Sequence, residues 1–82
     1  MDKTDRILVA IYSNVKKMDH PESCPVEAQT VSEATSLELL DLMALCPTLM
    51  DCNLIEVARL RNQPVLYLTK YGASRARLLT LA

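Results

Sequence analysis

His20, Cys24, Cys46 and Cys52 are the side chains in this sequence best equipped for metal ligation or nucleophilic attack. Together they could supply four zinc ligands, but no Cys-x-x-Cys pair exists and His20 stands in a loop beside Pro21. Three cysteines without tight spacing do not build a disulfide framework. Cys46 and Cys52 read instead as small buried apolar groups, and Cys24 as a loop residue. No serine, cysteine or acid is spaced so as to imply an activated pair with His20. The single glycine, Gly72, cannot make a phosphate-cradling loop. Glu38 and Asp41 form a solvated helix face before they form a catalytic pair. The chain does not read as an enzyme, and no catalytic residue, metal or cofactor is expected.

The chemistry that remains is that of charge. The net charge of −1 conceals a segregated pattern. Residues 19–58 carry Asp19, Glu22, Glu27, Glu33, Glu38, Asp41, Asp51 and Glu56, with no Lys or Arg. Residues 59–82 carry Arg59, Arg61, Lys70, Arg75 and Arg77, with no acid. Residues 1–18 add Lys3, Arg6, Lys16 and Lys17 against Asp2 and Asp5. Such segregation says more about partners than the total does. The five C-terminal cations are candidate phosphate contacts. The leucine-rich acidic middle offers a different surface, suited to protein.

These groups must be held by a small fold. The 82 residues make one domain, 1–82. A chain of that length buries about 60–65% of its unfolded surface. Half of the residues are hydrophobic, enough for a core, and with no Phe or Trp that core must be aliphatic. No apolar run approaches the roughly 20 residues that span a membrane. The opening Met-Asp-Lys-Thr-Asp-Arg lacks the layout of a secretory leader, so a cytoplasmic location is expected. Ile7, Leu8, Ile11, Val15 and Met18 recur at helical steps and predict a first helix over 4–18. Thr4 or Asp2 can cap it, and Lys16 and Lys17 suit its C-terminal end. Residues 19–25, with two prolines, read as a loop.

Residues 54–72 carry the clearest signal. Leu54 to Leu60 is rich in branched and apolar residues, with Glu56 and Arg59 interrupting, as in a half-buried strand. Arg61-Asn62-Gln63 can turn the chain, since Asn62 tolerates left-handed angles. Residues 65–68 read as the return strand, with Leu66 and Leu68 on one face and Val65 and Tyr67 on the other. Pro64 suits the first residue of an edge strand. Thr69 can cap a closing helix over 70–82, in which Gly72 allows close backbone packing. This pattern, Leu-Ile-Glu-Val, a polar tip, then Val-Leu-Tyr-Leu-Thr-Lys-Tyr-Gly, resembles the wing of winged helix-turn-helix regulators such as the MarR-like proteins. The resemblance extends back to about Pro25. It implies an α+β, mostly α fold: three helices, a two-stranded β wing and a C-terminal helix, with a short strand between the first two helices.

Residues 26–52 allow two readings. In one, 28–35 is the second helix and 38–52 the third, kinked near Cys46-Pro47. In the other, 36–45 is the second helix and Pro47 opens a short third one. A proline inside a helix costs about 3 kcal/mol, whereas at the first helical position it costs nothing. The first reading keeps the family's spacing and is preferred, with Asn53 as the helix stop. In either case the recognition-helix position offers no Arg, Lys, Asn or Gln to bases or phosphates. Its leucines and methionines exceed one core-facing stripe, so Leu39, Leu40, Leu42 and Met43 are expected to meet a partner protein or a second subunit.

Two functions follow. The first is a DNA-binding transcription regulator that touches double-stranded DNA through Arg59, Arg61, Lys70, Arg75 and Arg77. The second is a protein-interaction module, homodimeric or bound to another protein, that docks through its third helix. Base rates for the fold favour the first. The residues of the third helix favour the second.

Overall fold

The computed structural model describes residues 1–81. Helix α1 spans Lys3–Val15. Its cap is Asp2, whose carboxylate accepts the Asp5 amide at 2.8 Å and the Thr4 hydroxyl at 2.7 Å. The amide donor is one of the orphans of the first turn, so the cap fixes where the helix starts. Ile7, Leu8, Ala10, Ile11 and Val15 form its buried face. The helix is shorter than the sequence pattern predicts. Lys16 is the C-terminal cap and Met18 is 52% exposed, so neither Lys17 nor Met18 belongs to the helix.

Pro21–Ser23 forms a single 3-10 turn within the expected loop. Strand β1, Val26–Glu27, then leads directly into helix α2, Ala28–Thr35. Ser36, at φ 61°, takes the left-handed conformation that ends α2. Helix α3 spans Leu39–Asp51 with Pro47 inside it, so 36–45 is not one helix. Asn53, at φ 59°, stops α3 as expected, and the Leu54 amide returns to the Leu49 carbonyl at 3.0 Å.

The wing consists of strands β2, Ile55–Leu60, and β3, Gln63–Leu68. The turn is tighter than the sequence suggests. Only Arg61 and Asn62 lie between the strands, at φ 52° and 65°. Two positive φ values in a two-residue loop give the twist that matches paired strands. Gln63 and Pro64 therefore belong to β3.

The sheet has three strands in the order β1-β3-β2, so Pro64 lies on the central strand and not on an edge. Its missing donor does no harm there. The pair beside a two-residue turn, Leu60 with Gln63, is hydrogen-bonded, so the next pair, Arg59 with Pro64, points its backbone groups away from β2. On that other side β1 reaches only Val65 and Leu66.

Helix α4 spans Lys70–Leu81. The Thr69 hydroxyl caps it, accepting the Gly72 amide at 3.0 Å and donating to the Asn53 carbonyl at 2.6 Å. At Gly72 a Cβ atom would stand 1.9 Å from the Leu54 carbonyl oxygen, so only glycine lets the first turn of α4 meet the start of the wing. The core gathers Ile7, Leu8 and Ile11 of α1 with Leu42, Ile55, Leu66 and Leu68, all essentially without solvent contact. This is an α+β, mostly helical winged-helix fold with a three-stranded antiparallel sheet. No helix among the described residues is long and apolar enough to cross a membrane.

Candidate nucleic-acid interface

The pleat of the wing decides where its charges point. Side chains alternate between faces, and the register pairs Ile55 with Leu68 and Val57 with Leu66 on the core side. Arg59 belongs to that same side but lies beyond the core, opposite Pro64. Arg61 occupies the turn itself. Both arginines are exposed, and neither forms an ion pair among the described residues. The wing tip thus holds two free guanidiniums within three residues. A planar fork of donors at a protruding tip is suited to a phosphate oxygen or to the floor of a minor groove.

The other three cations are not gathered there. Lys70 follows Thr69 at the base of the hairpin, at the opposite end of β3 from the tip. Six residues at about 3.3 Å each put the two ends roughly 20 Å apart. Arg75 is engaged within the fold, where its guanidinium meets the Asp5 carboxylate at 3.3 Å and joins α4 to α1. Arg77 is exposed on α4 without an ion-pair partner among the described residues. The five cations therefore divide into a tip pair, a base residue, a structural arginine and one helix-surface arginine. An arginine outside this set, Arg6, is also committed to the fold, donating to the Thr35 carbonyl at the end of α2.

Helix α3 carries Asp41 and Asp51, with Glu38 at its N-terminal cap. Leu42, Cys46 and Leu49 form its buried stripe, and Leu39, Met43 and Leu45 pack half-buried beside it. Of the four side chains expected to meet a partner, Leu42 is fully buried in the chain's own core, and Leu39 and Met43 pack against that core. Leu40 alone is open, at 82% exposure. The helix can accommodate more apolar residues than one narrow stripe because it packs against α2, β2 and α1 over a wide arc. Its solvent face holds Leu40, Asp41, Ala44, Pro47, Thr48 and Asp51, and no cation.

The cysteines and His20 are dispersed. Cys46 is buried, which pushes its thiol pKa up, whereas Cys52 is exposed and not buried as the sequence reading has it. Cys24 is half-buried and its thiol donates to the His20 carbonyl at 3.4 Å. Among the described residues no group of three or more His, Cys, Asp or Glu is placed to hold a metal ion.

Sequence reasoning missed an apolar surface on α4. Tyr71, Leu78 and Leu81 are 68%, 69% and 71% exposed. Their spacing of seven and then three residues is the signal that could have shown a second stripe on this helix. In the sequence Ala73, Ala76 and Leu79 read as the apolar face of this helix and Leu78 and Leu81 can be drawn onto it, which hides the second stripe. The true core face is Gly72, Ala73 and Ala76, with Leu79 half-buried at its edge.

No family model and no curated protein sequence matches the chain. Solved structures do. A protein of Archaeoglobus fulgidus superposes with a TM-score of 0.81 at 15% identity, covering 96% of this chain and 81% of its own. Sso10a-2, a DNA-binding protein from Sulfolobus solfataricus, gives 0.68 at 11% identity over 98% of this chain and 77% of its own. A MarR family regulator from Neisseria meningitidis gives 0.63 at 23% identity over 93% of this chain, which spans only 51% of that regulator. At these identities the likeness is one of fold, and the winged helix extends over nearly the whole chain.

Proposed function

We propose that this chain is a winged-helix regulator that binds duplex DNA through its wing, not through its third helix. One observation carries the reading: Arg59 and Arg61 stand exposed at the end of the hairpin, outside any ion pair among the described residues. The DNA-binding and regulator descriptions of the fold neighbours support it from outside the chain. The exposed acids of α3 oppose a major-groove approach. Two unit charges about 4 Å apart near a protein surface interact by a few kcal/mol before salt screening, enough to offset a weak complex. Contact is therefore with few phosphates and little base readout.

Titration of a random-sequence duplex at several salt concentrations tests this. Binding is weak, with a shallow log–log salt slope of about −0.9 per phosphate neutralised. Arg61→Ala lowers that slope by about one unit, while Asp41→Ala leaves binding unchanged or strengthens it. Loss of binding in Asp41→Ala with the fold intact would show α3 reading DNA. Absence of binding to any duplex at low salt would remove the regulator reading.

A second reading has its own observation. Leu40 is the most exposed large apolar side chain of the described residues and sits beside Asp41 on a helix face without cations. Such a face suits a protein surface better than a polyanion, so α3 docks on protein.

A further inference from the structure

We infer that the α3 face of one copy docks on the outward face of α4 in a second copy, a head-to-tail contact. The inference rests on the reading of α3 as a docking surface and names its partner. The two faces match in apolar content. On α4, Tyr71, Leu78 and Leu81 form an exposed stripe at heptad-like spacing, with Ser74 completing it. On α3, Leu40 projects with Ala44 and Pro47 behind it at four and seven residues, and Met50, 45% exposed, lies at the margin.

The two faces are opposite in charge. Asp41 and Asp51 are exposed on α3, with Glu38 at its N-terminal cap, and no cation lies between them. Lys70 and Arg77 border one edge of the stripe on α4, which has no acid. A symmetric α4–α4 pair would bring those cations together, and a symmetric α3–α3 pair would bring the acids together. Only the crossed pairing places each charge against its opposite, which is how charge patterns select among otherwise similar apolar contacts. The contact uses different patches on the two copies, so it closes where two copies satisfy both contacts reciprocally and otherwise continues into larger assemblies. Asp5 holds Arg75 within its own chain, which leaves Lys70 and Arg77 for the partner copy.

Sedimentation velocity over a range of concentration and salt tests this, with two charge-reversed proteins. The wild type self-associates at low salt, and added salt weakens it. Asp41→Lys with Asp51→Lys, and separately Lys70→Glu with Arg77→Glu, each raise the dissociation constant roughly tenfold or more. An equimolar mixture of the two proteins assembles again, because each reversed face meets its complement. That rescue shows both variants folded, and circular dichroism of each alone checks it independently. If only the α3 variant weakens association, α3 still docks on protein but not on α4, and the inference fails. If neither variant changes association, or the wild type remains monomeric at millimolar concentration, the docking role of α3 fails with it. A mixture that does not reassemble also overturns the crossed contact.

Discussion

Single residues set the limits of this fold at three places. Gly72 is fixed by sterics, since a Cβ would overlap the Leu54 carbonyl oxygen. Gly72→Ala must push α4 away from the wing, and overpacking of this kind costs about 3 kcal/mol. In a domain of this size that lowers the melting temperature by roughly 10 °C or more, which calorimetry measures directly. An unchanged melting point would mean that α4 is free to shift. Asp2 is fixed by hydrogen bonding. The Asp5 amide, and then the Thr4 hydroxyl, hold its carboxyl below the ordinary value of 3.8. A lowered folded-state pKa contributes stability that is present above that ordinary value and lost as pH falls through the folded one. Asp2→Asn keeps a capping oxygen and removes this acid-side dependence, as melts between pH 2 and 5 would reveal in difference. Arg61 is fixed by the turn and exposed, so under the proposed function its substitution is expected to change duplex binding without touching the core.

At the scale of elements, helix α3 shows how one sequence pattern divides between core and solvent. Leu40 and Leu42 are two residues apart, yet one is 82% exposed and the other fully buried. Leu42→Ala leaves a cavity and destabilises by about 3 kcal/mol, whereas Leu40→Ala changes stability by less than about 0.5 kcal/mol. Chemical denaturation of both variants checks the pair, and equal losses would place Leu40 in the core. Pro47 interrupts the same helix on its solvent side. It lacks the amide that would bond the carbonyl one turn earlier, so Pro47→Ala stabilises by about 1–3 kcal/mol. A destabilised Pro47→Ala would show that the interrupted turn is needed for packing.

Across the whole molecule, the ends of the chain are tied by α1 and α4. Asp5 and Arg75 are 70 residues apart in sequence and 3.3 Å apart in space. The arginine is half exposed, so the pair contributes only about 0.5 kcal/mol after screening. Arg75→Ala therefore lowers stability slightly, in a salt-dependent way, and leaves the duplex-binding salt slope unchanged. A slope reduced by one unit would place Arg75 on a phosphate and the ion pair out of use. Charge is thus segregated by element: α3 exposes Asp41 and Asp51 without a cation, the wing tip holds Arg59 and Arg61, and α4 exposes Lys70 and Arg77 without an acid.

Much of this was determined by the sequence alone, wherever the physics is local. The helical steps of Ile7, Leu8, Ile11 and Val15, the left-handed tolerance of Asn53 and Asn62, and the capping hydroxyl of Thr69 act within a few residues of themselves. They define α1, the stop of α3, the wing and the start of α4. The segregation of charge is likewise a property of order along the chain. The tertiary structure decided what depends on distant partners. Strand β1 forms where Val26 and Glu27 find Leu66 and Val65 about forty residues away; two residues carry no periodicity to reveal it, and only the family resemblance implied a short strand there. Pro64 is tolerated on a central strand because β1 stops short of it. The candidate site was legible as a set of five cations, but not as an arrangement. Arg75 is drawn to Asp5 by the packing of α4 on α1, and Lys70 is carried to the far end of the hairpin by the length of β3. Burial separates Leu42 from Leu40 because a helix shows its core only part of its circumference, and which part depends on what packs against it.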